Sequence, residues 1–448
     1  MKKVLFIILM IMCLVAFAGC SKDRQGEHCE KIDATKDVSS EIKFVSEEYE
    51  PGNRSDMMPR ELMRTDKGFY HYNFSTRSLY YYDMTTGKEM YLCNKPECRH
   101  DGNAFCVATN QKYEILGNSL YNDKILSFAL EETETQYVFR LLSIALDGAT
   151  MDELATILTL EKTADKLFFG GSAVHIHRNK VLITMNGSGG GEDTRYYGAV
   201  VVSLDTRDVM FMNKEPFSKE NVDITDVSAC GNYFYYCQKN DGKRTTLYRY
   251  HIGTGIVEIC ELLPGFTGDY AVLSEDLIAY LSSGGKRMCS YCWSTGENKE
   301  QVTLNRVFKE FPQEGGETAG EYVGEYVALD LLTDGTYLYL PESIELRYGE
   351  KATGEYEVTS VYIHVFDREF DEIKTVNLAE ELPLAGFEEM EWHNQSYNRG
   401  LRYLGEDIYW CFVPHKNPKM TTYVFHCKRS DFIAGNPEFT FVYQYNEN

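Results

Sequence analysis

The feature that most constrains the fold is a three-part pattern that recurs along most of the chain. A short aromatic or apolar strand follows a turn residue, and a polar connection leads to a second strand. A tight turn rich in Asp, Thr and Gly then leads to a third strand. Apolar and polar residues alternate within these segments, as expected of half-buried strands. Gly supplies the positive φ that such turns require, and Asp and Thr cap them.

We count seven units of this kind. Their first strands begin at Gly68, Gly117, Asn179, Gly231, Glu275, Gly335 and Gly405. Their second strands begin at Leu79, Leu142, Val200, Leu247, Met288, Val361 and Tyr423. Their third strands lie at Met90, Leu154, Val209, Val257, Val302, Ile373 and Phe439. The stretch before most units can supply a fourth strand, as at Val222–Ser228 and Tyr326–Leu332.

Seven repeats of about four short antiparallel strands predict an all-β fold, a seven-bladed β-propeller. A single blade cannot bury both of its faces, so the blades must stack around an axis. The alternative is a pair of β-sandwiches with accidental repetition. Insertions such as Glu342–Glu357 are expected to lengthen loops. No long helix is expected, and Met151–Leu160 and Leu378–Phe387 are the segments nearest to a helical pattern.

The repeating unit, an aromatic strand followed by Leu-Tyr-x-Tyr and x-x-Thr-Gly, resembles propellers of the low-density-lipoprotein-receptor type. It is also similar to uncharacterised lipoproteins of gut-dwelling Clostridia. These resemblances imply the propeller fold over nearly all of the chain after the N-terminal segment. They imply little about function, because propellers host many unrelated activities.

The N-terminus reads as a signal peptide over residues 1–19. Lys2 and Lys3 precede an uncharged apolar run that is too short to span a bilayer as a helix. The ending Phe17-Ala18-Gly19-Cys20 resembles the lipobox of bacterial lipoproteins, although Phe17 stands where Leu is usual. This resemblance implies that Cys20 is lipidated and that the protein is anchored to the cell membrane, facing outside the cytoplasm. Ordinary signal cleavage remains the alternative.

Residues 20–41 are polar and indicate a flexible tether, and residues 42–448 form the expected propeller domain. The chain carries 68 acidic and 45 basic residues, a net charge of −23. Such a surface repels nucleic acid, so no nucleic-acid partner is expected. Of the 13 cysteines, eleven remain after the signal peptide and Cys20 are set aside. This odd number argues against a complete disulfide framework.

One segment has the spacing of a metal site, C-x4-C-x-H-x5-C. Its three thiols and one imidazole are enough for a tetrahedral zinc site, and a site closed by four protein ligands is structural. The candidate ligands are Cys93, Cys98, His100 and Cys106. Two alternatives stay open, a disulfide with one free thiol and three unrelated thiols. A similar Cys-rich loop is a feature of the clostridial lipoproteins, without a settled role.

Other patterns are weaker. Cys289 and Cys292 lie on an expected strand, which favours core cysteines over a redox pair. His175 and His177 share one strand face, which we interpret as solvated rather than metal-binding. The Gly-rich segments 187–191 and 315–320 indicate flexible loops. The chain contains no nucleophile elbow and no His-Glu-x-x-His motif.

Two functional hypotheses follow. The first is a non-catalytic scaffold whose loop face holds a glycan, a peptide or a partner protein. Its basis is the lack of catalytic motifs beside aromatic residues expected in loops, namely Tyr196, Tyr197, Trp392 and Trp410. The alternative is an extracellular polysaccharide hydrolase or lyase, whose acidic residues would converge on the propeller channel.

Overall fold

A computed structural model describes most of the propeller. The described residues are 62–102, 106–162, 167–170, 172–189, 195–213, 215–239, 245–260, 263–282, 285–304, 323–328, 331–347, 356–378, 398–402, 407–412 and 421–446. The signal peptide, Cys20, the tether, Trp392 and the segment 315–320 lie outside them. None of the helices in the described part is both long and apolar enough to cross a membrane.

Seven antiparallel sheets follow one another along the chain, and each forms one blade. Blade 1 contains β1 (Met63–Arg64), β2 (Gly68–Asn73), β3 (Ser78–Asp83) and β4 (Lys88–Tyr91), and blade 2 contains β5 (Glu114–Tyr121), β6 (Lys124–Glu132), β7 (Gln136–Ala145) and β8 (Met151–Glu161). Blade 3 contains β9 (Leu167–Phe169), β10 (Ala173–His177), β11 (Lys180–Gly189), β12 (Arg195–Ser203) and β13 (Val209–Phe211). Blade 4 contains β14 (Asp223–Cys230), β15 (Tyr233–Lys239), β16 (Thr246–His251) and β17 (Val257–Cys260). Blade 5 contains β18 (Phe266–Val272), β19 (Leu277–Ser282), β20 (Arg287–Cys292) and β21 (Asn298–Thr303). Blade 6 contains β22 (Val323–Ala328), β23 (Leu332–Thr333), β24 (Leu338–Arg347), β25 (Tyr356–Phe366) and β26 (Glu372–Asn377). Blade 7 contains β27 (Asn398–Arg402), β28 (Asp407–Phe412), β29 (Thr421–Lys428), the helix α1 (Arg429–Ala434) and β30 (Thr440–Asn446). The seven-bladed β-propeller is therefore confirmed, and the pair of sandwiches is excluded.

The first strand is irregular in six of the seven blades. Register shifts interrupt β5, β14, β18 and β27. In blades 3 and 6 the first strand is split into two sections that pair with the same neighbour. First strands of neighbouring blades contact one another, for example β5 with β10 and β14 with β18, so they surround the axis. Bulges bend and twist a strand, which suits this crowded position.

Among the described residues, the hydrophobic core is divided into seven clusters, one at each contact between neighbouring blades. Each cluster combines apolar residues from the facing sides of two sheets, as the alternation of the strands requires. In order around the ring they include Leu79, Leu120 and Ile144 (blades 1 and 2); Phe128, Leu141 and Ile183 (2 and 3); Leu182, Val201 and Phe234 (3 and 4); Tyr235, Leu247 and Tyr280 (4 and 5); Leu281, Leu340 and Phe366 (5 and 6); Ile363, Trp410 and Phe425 (6 and 7); and Phe69, Tyr409 and Val424 (7 and 1).

The contact between blades 1 and 7, which we call the seam, closes the ring. The buried Phe69 ring packs edge-on against Tyr409, with their centroids 6.0 Å apart. Arg64 forms an ion pair with Asp407 at 3.0 Å. Burial alone would raise the pKa of Asp407, but hydrogen bonds from His426 and Lys428 hold it well below its ordinary value. The seam therefore joins an apolar centre to a charged edge.

Several strand assignments from the sequence need correction. Residues 151–161 form the outer strand β8, which confirms the third strand expected at Leu154. The nearly helical pattern of Met151–Leu160 does not form a helix, because this stretch pairs with β7 along its length. In the second unit, Gly117 lies in the innermost strand β5, and the strand β6 was missed. Much of the expected loop insertion Glu342–Glu357 extends the hairpin of β24 and β25. The short helix α1 was not foreseen.

The expected loop positions of three aromatic residues and of part of one Gly-rich segment were also wrong. Trp410 lies fully buried on β28, and Tyr196 and Tyr197 lie on β12, so none of them is a loop residue. Residues 187–189 complete β11 by pairing with β9 instead of forming a flexible loop.

The paired histidines of β10 do not form a solvated face. His177 is buried, and its Nε2 atom lies 2.8 Å from the Gly231 carbonyl oxygen in blade 4. The Nε2 atom of His175 is buried as well. Burial disfavours the charged imidazole and lowers the pKa of each side chain to about 4.

This burial predicts that mild acid destabilises the protein. The folded imidazoles stay neutral down to a pKa of about 4, whereas the unfolded chain protonates them near pH 6.5. The contribution of the neutral imidazoles to the free energy of unfolding is therefore fully present above pH 6.5. It falls as the pH drops toward 4, because the unfolded state binds more protons in that window. The expected loss in free energy of unfolding is roughly 3 kcal/mol for each histidine.

Urea denaturation across this pH range measures the effect. His175→Leu removes one titrating group, so its stability should depend less steeply on pH than that of the wild type. Equal slopes for the two proteins would contradict the assignment of His175 to the buried, neutral set.

Candidate metal centre

The Cys-rich loop connects β4 of blade 1 to β5 of blade 2. Both ends of the loop are held by the same residue of β3. The Leu92 amide donates to the Leu79 carbonyl at 2.9 Å, and the Leu79 amide donates to the Ala108 carbonyl at 2.8 Å. Leu92 and Val107 also enter the apolar cluster between blades 1 and 2. The loop therefore starts and ends at fixed points, which reduces the entropy lost when it wraps around an ion.

The four candidate ligands converge in space. One ligand atom from each of Cys93, Cys98, His100 and Cys106 lies within 4.8 Å of the other three. The thiol and imidazole bond lengths of zinc place tetrahedral ligand atoms about 3.8 Å apart. The existing arrangement needs to contract by only about 1 Å to coordinate such an ion. No second group of three or more such ligands occurs among the described residues.

Backbone conformation accounts for the wrapping. The Cys98 amide donates to the Lys95 carbonyl at 3.1 Å, which closes a turn between the first two thiols. His100 has a φ of +52° and Gly102 a φ of +83°, so the chain reverses in the left-handed region between the second and third thiols. The Gly102 amide then donates to the Thr109 hydroxyl at 3.3 Å.

The electrostatic setting of Cys106 favours a thiolate. Burial alone would raise the pKa of this thiol. Hydrogen bonds from Thr109 and His100 outweigh burial and lower the pKa to about 6. The Nδ1 atom of His100 lies 3.4 Å from the Cys106 Sγ atom. In contrast, burial raises the pKa of the Cys93 thiol. Thiolates are the form that binds metal, so Cys106 is the thiol best prepared to coordinate first.

Two residues that the sequence did not indicate support this site. Thr109 contacts both Gly102 and Cys106. Tyr91, the last residue of β4, stacks on the His100 imidazole with ring centroids 4.4 Å apart and an interplanar angle of 24°. Neither residue type is a metal ligand in the C-x4-C-x-H-x5-C pattern, so no sequence signal identifies them.

The three thiols of the loop are free cysteines in the structure. Their proximity suits a soft metal such as zinc, and it also leaves a disulfide open as a competing chemical state. Most other cysteines fit the core interpretation, since Cys237, Cys260, Cys289, Cys411 and Cys427 are buried.

Two cysteines behave differently from the core set. Cys230 is buried but disulfide-bonded. Cys292 is half-buried, and its Sγ atom lies 3.2 Å from the Asp276 carboxylate.

Two carboxylates occupy irregular positions of neighbouring inner strands. Asp226 in β14 accepts a hydrogen bond from Thr225 at 2.8 Å, and Asp269 in β18 accepts one from Thr267 at 3.0 Å. The Tyr270 hydroxyl donates to the Asp226 carbonyl. Each side-chain contact lies within a single strand and holds its carboxylate at that irregular position.

Comparison with known proteins finds similar solved structures only, each at low sequence identity. No family model matches the chain, and no curated protein matches it. Among solved structures, a prolyl endopeptidase is similar at 12% identity, with a TM-score of 0.49 over 88% of this chain and 52% of that chain. Prolyl oligopeptidase B from Galerina marginata is similar at 10% identity, with a TM-score of 0.49 over 90% and 52% of the two chains. This chain thus spans about half the length of those peptidases.

A third similar structure is the periplasmic gluconolactonase of Pseudomonas aeruginosa. It shares 10% identity, with a TM-score of 0.40 over 84% of this chain and 99% of that chain. Likeness at this level of identity carries no argument about activity.

The geometry predicts one zinc ion per chain. The sample is the mature chain with Cys20→Ser, purified without oxygen, and zinc and free thiols are counted together. Cys106→Ser should lose the zinc, because it removes the central thiolate. Cys427→Ser is the matched control, since it alters another buried thiol in the cluster between blades 6 and 7. Absence of metal, with two of the loop thiols oxidised, would instead establish the disulfide.

Proposed function

We propose that this chain is a lipid-anchored, extracytoplasmic lipoprotein whose propeller is a non-catalytic binding scaffold, stabilised by one structural zinc. The convergence of Cys93, Cys98, His100 and Cys106 within 4.8 Å carries the structural zinc of this proposal. Four protein ligands leave no open position on a tetrahedral ion, so a metal held here has no vacant site for substrate.

The location of the loop supports a structural role for the metal. The loop leads from the outer strand of blade 1 to the inner strand of blade 2, and it also contacts the next blade directly. The Asn94 side chain donates to Asp147 at 3.4 Å, in the turn between β7 and β8. A metal in this loop would fix one connection between blades, much as a crosslink does.

The anchor rests on the sequence. Residues 1–19 have the layout of a signal peptide, and Cys20 stands at the lipidated position of the lipobox. A polar tether over residues 20–41 would hold the propeller away from the bilayer. The repeat and the Cys-rich loop support membership among the clostridial-type lipoproteins. An acidic surface of net charge −23 agrees with a domain that stays off anionic lipid headgroups.

A glycan, peptide or protein ligand is the proposed partner, and one exposed ring on blade 3 supports this. Phe168 lies on β9, in the inner strand of blade 3, and 60% of it is exposed. Exposed rings provide rigid contact area for sugars and peptides. The other aromatic residues that suggested a binding face lie within strands or, in the case of Trp392, outside the described residues.

Lipidation makes a direct prediction about location. When the full chain is expressed in a bacterium fed an alkyne fatty acid, it should take up the label and sediment with membranes. Cys20→Ser should lose the label and become soluble in the extracytoplasmic fraction, because one residue carries the anchor. Cys13→Ser is the matched control and should keep the label. A labelled Cys20→Ser protein would exclude this anchor.

The scaffold hypothesis predicts binding without turnover. Purified protein is incubated with a panel of polysaccharides, and both retention on the polymer and release of shorter products are measured. Retention that weakens several-fold in Phe168→Ala, with no released product, is the expected result. Product release that disappears in Asp226→Asn or Asp269→Asn would establish the polysaccharide hydrolase or lyase instead.

A further inference from the structure

A continuous column of rings runs from the Cys-rich loop toward the seam. His100 stacks on Tyr91 at 4.4 Å, Tyr91 on Tyr80 at 4.8 Å, and Tyr80 on His71 at 5.2 Å. The three strand residues are direct cross-strand neighbours on β4, β3 and β2. The antiparallel register therefore aligns them on one face of blade 1, independently of the loop.

The column ends in a buried polar contact across the seam. His71 is 3% exposed, and its Nε2 atom lies 2.9 Å from the Tyr443 hydroxyl of blade 7. The same nitrogen lies 2.9 Å from Glu89, which also accepts a hydrogen bond from Tyr443. The Tyr443 ring in turn stacks on Tyr82 at 4.1 Å. The far end of the column is thus part of the contact that closes the ring.

We propose that Tyr91 and the rings behind it hold His100 in its coordinating orientation, so that metal binding in the loop and closure of the seam reinforce each other. This linkage rests on the proposed metal site. An imidazole must present one nitrogen to the ion, and contacts to the remainder of the ring set its orientation. Here the stacked Tyr91 ring sets the orientation of the His100 imidazole, and the position of Tyr91 depends in turn on Tyr80 and His71.

Linkage must act in both directions. If closure of the seam orders the column and thereby strengthens metal binding, then bound metal stabilises the seam by the same factor. Packed rings transmit such an effect because each ring leaves its neighbour few alternative positions. Tyr91 is the accessible point for a test, since it is 37% exposed and its replacement leaves the apolar clusters intact.

The experiment measures zinc affinity by competition with a chelator, without oxygen, on the mature chain with Cys20→Ser. Tyr91→Ala and Tyr443→Phe should each weaken zinc binding about fivefold, the lower end of typical couplings. Tyr91→Phe keeps the ring and should restore affinity to within twofold of the parent chain. Tyr270→Phe is the matched control, because it removes a buried interface hydroxyl between blades 4 and 5, away from the loop.

Hydrogen exchange provides the reciprocal measurement. Zinc should slow exchange of the amides in β2 and β28 at the seam, and it should leave those of β16 and β19 unchanged. Equal zinc affinity in the parent chain, Tyr91→Ala and Tyr443→Phe, with no protection of the seam, would overturn the linkage and leave the metal site standing. A parent chain that binds no zinc would overturn both.

Discussion

Closure of the ring is the constraint on which the rest of this structure depends. Six of the seven blade contacts join sheets that follow one another in the chain, whereas the seam joins the first sheet to the last. In the part of the chain that the structure describes, every blade is built from consecutive strands, so no shared strand ties the ends together. Side-chain contacts must therefore hold the two blades together at the seam, whereas at the other six contacts the connecting backbone also keeps the blades close. If the seam opened, it would expose the apolar faces of two blades to water at once.

Apolar packing alone leaves the angle between two sheets poorly determined, and every blade contact adds a directional polar bond. Two of these bonds are ion pairs, Arg64–Asp407 at the seam and Arg429–Asp334 between blades 6 and 7. The others connect a side chain or an amide to the neighbouring blade. They are Asn94 to Asp147, Ser172 to Leu116, His177 to Gly231, Tyr270 to Asp226 and Arg368 to Leu273. Directional bonds in a partly dry contact select one arrangement among several of similar apolar burial.

The number of blades could be read from the sequence because each unit repeats the same alternation and turn chemistry. The second unit was shifted by one strand because Gly117 resembles the turn that opens the other units, although it lies inside β5. The candidate metal ligands could be found because all four fall within one short segment. The residues that support these ligands could not be predicted, since Tyr91 is recognisable only through the stacking of its ring on His100. The seam lay beyond sequence reasoning, because His71 and Tyr443 are 372 positions apart.

Buried tyrosines at the blade contacts have a structural explanation, and they therefore do not indicate a ligand. Buried hydroxyls of Tyr235, Tyr280 and Tyr339 donate to Glu275, Asn298 and Asp334 respectively. Each ring thus fills an apolar cluster and satisfies its polar end there, which Phe could not do. These buried tyrosines are consequently a property of the blade contacts and not evidence for an aromatic ligand face. The groups that bear on function are those whose placement the propeller does not itself require. The converging thiols and imidazole of the loop meet that condition, because a connection between two strands folds without them.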